Sequence, residues 1–253
     1  MGRQLRAGHG RALPRVAASL LAVVAAWVAA PGSALAARGS VRPLSNEWTR
    51  TVWAYGLERA VVRAAPRPRA RPLGRVALEN GNGFPEIYVV LARASERTGR
   101  EWLRIRLAGR PNGRTGWVRR DALGSLEVTH WLIRVNLAAR RLTAFFDGRV
   151  RLRAPVGIGK PSTPTPTGHF WITERIPIND RADPYWPYVL GTSDYSTLTD
   201  WPGGGVVGIH GDFGEPGRIP GDPSHGCIRM LDPDVTWLAR HVSLGTPVVI
   251  VAG

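Results

Sequence analysis

Val206-Val207-Gly208-Ile209-His210-Gly211 and, further along, Ser224-His225-Gly226-Cys227-Ile228-Arg229-Met230 are the two stretches on which the reading of this 253-residue chain turns. The second holds the only cysteine, and thirteen residues separate His210 from Ser224. A single thiol forms no internal disulfide, so Cys227 is either a small buried hydrophobe or a reactive group. Its neighbours favour the reactive reading, because a nearby base or cation promotes the thiolate, and two imidazoles and a guanidinium lie close in sequence. His225 is two residues from Cys227; on an extended segment it points to the same side but approaches the sulfur poorly. His210 stands on a separate alternating run that reads as a strand and can face the thiol from across a sheet. His210 is therefore the expected base, with the carbonyl of Gly211 free to orient its other ring nitrogen. Gly226 permits the amides of Gly226 and Cys227 to converge on a tetrahedral oxyanion.

Working outward, the surrounding residues read as β-structure. His130 to Asn136 alternates, Arg141 to Phe146 leads into the Asp147-Gly148 turn, and Val150 to Val156 returns. Gly157 to Gly168 is dense in Pro, Thr and Gly and reads as a loop before the strand His169 to Thr173. Asp232 to His241, with an acidic start and Pro233 in its first turn, is the best helix candidate, and Pro247 to Val251 is a final strand. Asp180 to Trp201 reads as a long irregular segment expected to border the site. In the first half, Ile87 to Leu91 and Trp102 to Leu107 alternate between the turn clusters Asn80-Gly81-Asn82-Gly83 and Pro111-Asn112-Gly113. The expected fold is mainly β: a small β-barrel over 52–124, then a β-sandwich-type domain over 128–252 with one or two short helices. No internal repeat is visible.

Arg3, Arg6, Arg11 and Arg15 precede an apolar run from Val16 to Ala30, and Ala34-Leu35-Ala36 offers a small-x-small cleavage site. Residues 1–36 thus read as a signal peptide and 37–51 as a polar linker. The apolar run is short for a bilayer span, so membrane attachment is expected only if the segment stays uncleaved. The expected location is the periplasm or cell wall. Formal charge is +15, with one lysine among the 34 basic residues. Residues 1–127 hold 22 basic and 8 acidic groups against 12 and 11 in residues 128–253. Inside a cell this would suggest nucleic acid. Behind an export signal the polyanion is instead expected to be anionic wall polymer or lipid headgroup, with no nucleic-acid partner.

Two resemblances organise these readings. His210-Gly211 with Ser224-His225-Gly226-Cys227-Ile228-Arg229, supported by Thr163-Pro164-Thr165-Pro166-Thr167-Gly168-His169-Phe170, resembles the signature of L,D-transpeptidases with the YkuD-type catalytic domain. The resemblance spans about residues 128–252. Gly113-Arg114-Thr115-Gly116-Trp117-Val118 resembles the closing strand of a bacterial SH3-like barrel. The first resemblance implies a peptidoglycan cross-linking enzyme that needs no cofactor or metal. In it Cys227 attacks the third-residue carbonyl of a stem peptide, expels D-alanine, holds a thioester and passes it to an amine, giving a 3→3 cross-link. His210 would relay the proton, Ser224 would bond His210 or cap the turn, and His225 and Arg229 would line the donor site.

Three other functions stay open on the residues alone: a wall-binding module with an inactive cysteine, an L,D-carboxypeptidase using water, and a zinc peptidase using His210, His225, Asp212, Asp222 and Cys227. The last lacks any His-x-x-x-His or Cys-x-x-Cys pair. His225 also fits a structural turn role and Arg229 a solvated surface charge. His130, His169 and His241 read as structural. Trp171, Trp186 and Trp201 are placed near a substrate groove, and Trp102, Trp117 and Trp237 in cores.

Overall fold

The computed structural model describes residues 40–96, 98–200 and 202–253. The signal-peptide reading of residues 1–36 and the groove role of Trp201 therefore lie outside the described residues. The described residues form one compact unit, mainly β as expected, built on two sheets.

The N-terminal sheet runs Pro72–Arg75, Val61–Arg63, Thr115–Arg119, Glu101–Arg106, Ile87–Ser95, Thr51–Tyr55 and Glu127–Thr129, with Val41–Pro43 added on Ile87–Ser95. Alternation drives it: in Glu101–Arg106, Leu103 and Ile105 are buried while Arg104 faces water. Two boundaries differ from the sequence reading. Val41–Pro43 is a strand inside the supposed linker, antiparallel to Ala92–Ala94. Glu127–Thr129 closes the N-terminal sheet by pairing with Thr51–Trp53, so the second sheet starts only at Trp131.

The second sheet orders ten strands: Arg149–Pro155, Arg141–Phe146, Trp131–Asn136, Pro247–Val251, Gly168–Pro177, Tyr188–Tyr195, Val206–His210, Ile228–Arg229, Gly157–Gly159 and Gly221–Ser224. Gly168–Pro177 is the pivot. Its first residues, Gly168 to Trp171, pair with Pro247–Ile250, and from Ile172 onward, across a register shift before Glu174, it pairs with Tyr188–Thr192. One strand thus serves both halves, the device by which sandwiches turn corners. Between the halves lies a single core of Ile133, Leu142, Ile172, Leu190, Ile209, Ile228 and Met230. The helix Asp232–His241 seals it with Val235, Leu238 and Ala239. Pro233 in its first turn, two acidic residues at its start, and Arg240 and His241 at its end match the helix dipole. It is the one α-helix among the described residues.

Two stretches read as irregular carry strands. Gly157–Gly159 pairs with both Gly221–Ser224 and Arg229, and Tyr188–Tyr195 occupies the middle of the segment expected to be loop. The sheets join through Trp53, Ile87, Val89 and Trp171, and the Trp171 indole donates to the Ile87 carbonyl at 3.0 Å. Trp171 therefore packs between the sheets rather than along a substrate groove.

Candidate active site

Val206–His210 and Ile228–Arg229 run parallel, with Ile209 opposite Ile228 and His210 opposite Arg229. That register carries Cys227, one residue before its strand, to Gly208, whose backbone N–H donates toward the sulfur. The two quoted stretches thus meet as adjacent strands, and Cys227 and His210 line the same two cavities, of about 230 Å3 and 150 Å3. Cys227 is part-exposed and opens onto solvent through these cavities.

The imidazole is held hard. His210 is buried and its Nδ1 lies 3.0 Å from the Gly211 carbonyl, which fixes Nδ1 as the N–H donor and leaves Nε2 as acceptor. Tyr185 packs edge-on against the ring at 4.9 Å. Gly211 has no room for a side chain, since a Cβ there would strike the Trp186 carbonyl and come within 2.6 Å of Asp232 Oδ1. Burial, then the Arg229 charge, pulls His210 down to about 4. Burial pushes the Cys227 thiol up, against the Gly208 contact. Both groups are therefore neutral at pH 7, and they face the cavities as a thiol and a neutral imidazole rather than as a preformed ion pair.

Ser224 does not bond His210. Its hydroxyl donates to the Cys227 carbonyl at 2.6 Å and accepts the Gly226 amide at 3.1 Å, tying the turn that presents the sulfur. Gly226 sits at φ +126°, a conformation that favours glycine. Because its N–H is spent on Ser224, Gly226 does not offer the oxyanion amide expected of it. The Cys227 amide is the remaining candidate of the two.

Arg229 is not a solvated surface charge. It is buried, its Nη1 donates to Glu215 at 2.9 Å, and its guanidinium lies 4.4 Å from the Phe213 ring centroid. It lines the smaller cavity beside His225, which is exposed at the rim. Arg229 thereby anchors the loop carrying Phe213 and Glu215 over His210. As expected, the segment after Asp180 borders the site, with Tyr185 lining both cavities. Trp186 instead holds the Arg181 guanidinium at 5.2 Å. Among the remaining histidines, His130 meets Asp147 at 2.9 Å and His241 stacks on Trp237. Asp222 is bound by Arg140 at 2.7 and 2.8 Å. No group of three His, Cys, Asp or Glu side chains among the described residues is placed to hold a metal.

Three buried carboxylates that the sequence reading passed over lie in this part of the fold. Glu174 lines the larger one and accepts the side-chain amides of Asn80 and Asn82, each at 2.6 Å. Asp194 is fully buried, accepts the Thr192 hydroxyl, and keeps Oδ2 without a partner. Burial lifts Asp194 to about 7, and its charge in turn raises Cys227. Burial likewise lifts Glu86 to about 7, helped by Glu174.

A part-exposed thiol, a pinned imidazole and a sandwich corner stand together in the second sheet. Residues 130–250 match the YkuD model, the L,D-transpeptidase catalytic domain. Among curated relatives, the Bacillus subtilis protein YkuD, named as an L,D-transpeptidase, is 36% identical over 118 residues, covering 47% of this chain and 64% of that one. L,D-transpeptidase 1 of Mycobacterium tuberculosis is 28% identical over 128 residues, covering 46% and 48%. The match thus spans about half to two thirds of these relatives' lengths. The catalytic domain of the E. faecium L,D-transpeptidase, solved by NMR, is 28% identical with a TM-score of 0.36, covering 47% of this chain and 95% of that one. The YkuD-type match coincides with the second sheet, and both Cys227 and His210 fall inside it.

Proposed function

We propose that this chain is an exported peptidoglycan L,D-transpeptidase acting through a Cys227 thioester, with the first sheet as an SH3-like accessory domain. The observation that carries the reading is the shared cavity: Cys227 and His210 on neighbouring parallel strands, with Nδ1 tied to Gly211 so that Nε2 can take a proton.

The chemistry follows from two neutral groups. The thiol attacks the third-residue carbonyl of a stem peptide as His210 Nε2 takes its proton. The oxyanion meets the Cys227 amide. Collapse of the adduct breaks the peptide bond, and the proton on His210 passes to the departing D-alanine amine. An incoming neutral amine then attacks the thioester, gives its proton to His210, and expels the thiol, leaving a 3→3 cross-link. Water in place of the amine gives carboxypeptidase activity from the same intermediate. The cationic N-terminal sheet suits anionic wall polymers at the periplasmic or cell-wall face of the membrane.

The test is incubation with purified disaccharide-tetrapeptide followed by mass spectrometry. The expected product is a dimer lacking one D-alanine, formed by the wild type and absent with Cys227→Ala. A metal-dependent wall hydrolase would instead lose activity to chelator and contain stoichiometric metal, whereas chelator should leave the thioester enzyme unchanged.

A further inference from the structure

We propose that Glu174, steadied by Asn80 and Asn82, forms a subsite for the side-chain ammonium of the donor stem peptide's third residue; this rests on the acyl-transfer reading above. The larger cavity holds Cys227 and His210 together with Glu174 and Asn82. A substrate whose scissile carbonyl sits at the sulfur therefore has a carboxylate within the same enclosure.

That carboxylate is prepared for a cation. Glu174 is buried, and each of its oxygens accepts one asparagine N–H. An ionised carboxylate has about four acceptor positions, so about two remain. Among the described residues, no ion pair includes Glu174. A buried carboxylate held only by neutral amides is incompletely compensated, and an ammonium completes it. Space is kept open deliberately: Gly191 is paired opposite Glu174, and a Cβ there would come within 2.5 Å of Glu174 Cγ and Oε1. Glu86 lines the adjoining cavity with Glu174. Two carboxylates thus lie on the Glu174 side of the site, across from the Arg229 guanidinium that lines the smaller cavity.

The chemistry chooses between the two amines of the reaction. An acceptor amine must be neutral to attack, and a carboxylate stabilises its protonated, unreactive form. Glu174 suits an amine that stays charged throughout, which is the side-chain amine of the donor. Because Asn80 and Asn82 come from a turn of the N-terminal sheet, that sheet helps to choose the donor.

Two synthetic tetrapeptide donors test this, one with a free amine on the third side chain and one with that amine acetylated. D-Alanine release is measured without acceptor and aminolysis of the thioester separately, after each variant is shown to form a covalent adduct with a penem. Wild type should prefer the free-amine donor by about tenfold to a hundredfold, the range of a charge-assisted contact. Glu174→Gln should bring the ratio near one, and Asn82→Ala, at an exposed turn, should lower it severalfold. Equal rates for both donors in wild type, or an unchanged ratio in Glu174→Gln, overturn the subsite alone. A preference confined to aminolysis assigns the ammonium to the acceptor and also overturns it. Failure of wild type to form a thioester with either donor or with the penem overturns the acyl-transfer reading as well.

Discussion

Asp194→Asn should leave stability almost unchanged at pH 5 and raise it at pH 8. Asp194 lies at 0% exposure, and burial raises it from 3.8 to about 7. A group whose folded pKa is raised contributes stability that is whole below the unfolded value and is lost as pH climbs through the folded one. The window is therefore about pH 4 to 7. Three units at 1.36 kcal/mol each give about 4 kcal/mol lost by pH 8, of which about 1.5 kcal/mol is already gone at pH 5. Asparagine does not titrate, so it escapes that loss. Its amide can still accept the Thr192 hydroxyl, but its NH2 falls where Oδ2 already lacks a partner, costing about 1–2 kcal/mol at either pH. The sum is near zero at pH 5 and a gain of about 2–3 kcal/mol at pH 8. For a domain of this size that is a rise in Tm of roughly 4–12 °C. Thermal melts of both proteins at the two pH values read it directly, and Glu86, which titrates in the same window, cancels in the difference. A variant equally destabilised at pH 5 and pH 8 would refute the argument. The same substitution removes a charge that raises Cys227, so alkylation of the thiol by iodoacetamide at pH 8 should quicken.

Two further outcomes follow from the site. His210, held down at about 4, stays neutral and Cys227 stays protonated across the neutral range, so kcat/KM for acylation should be flat from about pH 5 to 8 and fall only as the imidazole protonates near 4; an acid limb at pH 6–7 would show that the ring is not buried in the working enzyme. Gly211→Ala should lower stability by about 1–3 kcal/mol through overpacking against Trp186 and slow penem acylation by displacing the carbonyl that orients His210, whereas Gly217→Ala, where a Cβ meets nothing, should leave the melting curve and acylation unchanged.

What the sequence disclosed, and what it hid, divides along the line between local and distant interactions. The helix Asp232–His241 and the strand Pro247–Val251 match their expected bounds because their signals, a proline in the first turn and an unbroken β-branched run, act within a few residues. Cys227 and His210 were legible because nucleophile and base are recognisable by side-chain type. Gly157–Gly159 was not, because two glycines carry no alternation; Gly157 leaves the room that the Pro223 ring fills. Tyr188–Tyr195 hid for the opposite reason. Thr192, Ser193 and Asp194 look like loop residues, yet Thr192 is buried with its hydroxyl bonded to the Val207 carbonyl. Asp194 was lost with the strand that contains it. Glu174 was lost because its setting depends on Asn80 and Asn82, more than ninety residues away. The turn Asn80-Gly81-Asn82-Gly83 reads as turn chemistry, and it is that: the Asn80 carboxamide oxygen accepts the amides of Asn82 and Phe84. Its other capacity, two spare amide donors aimed at another sheet, has no periodicity to betray it. A motif discloses the atoms that react, whereas the field around them is made by residues that only folding brings near.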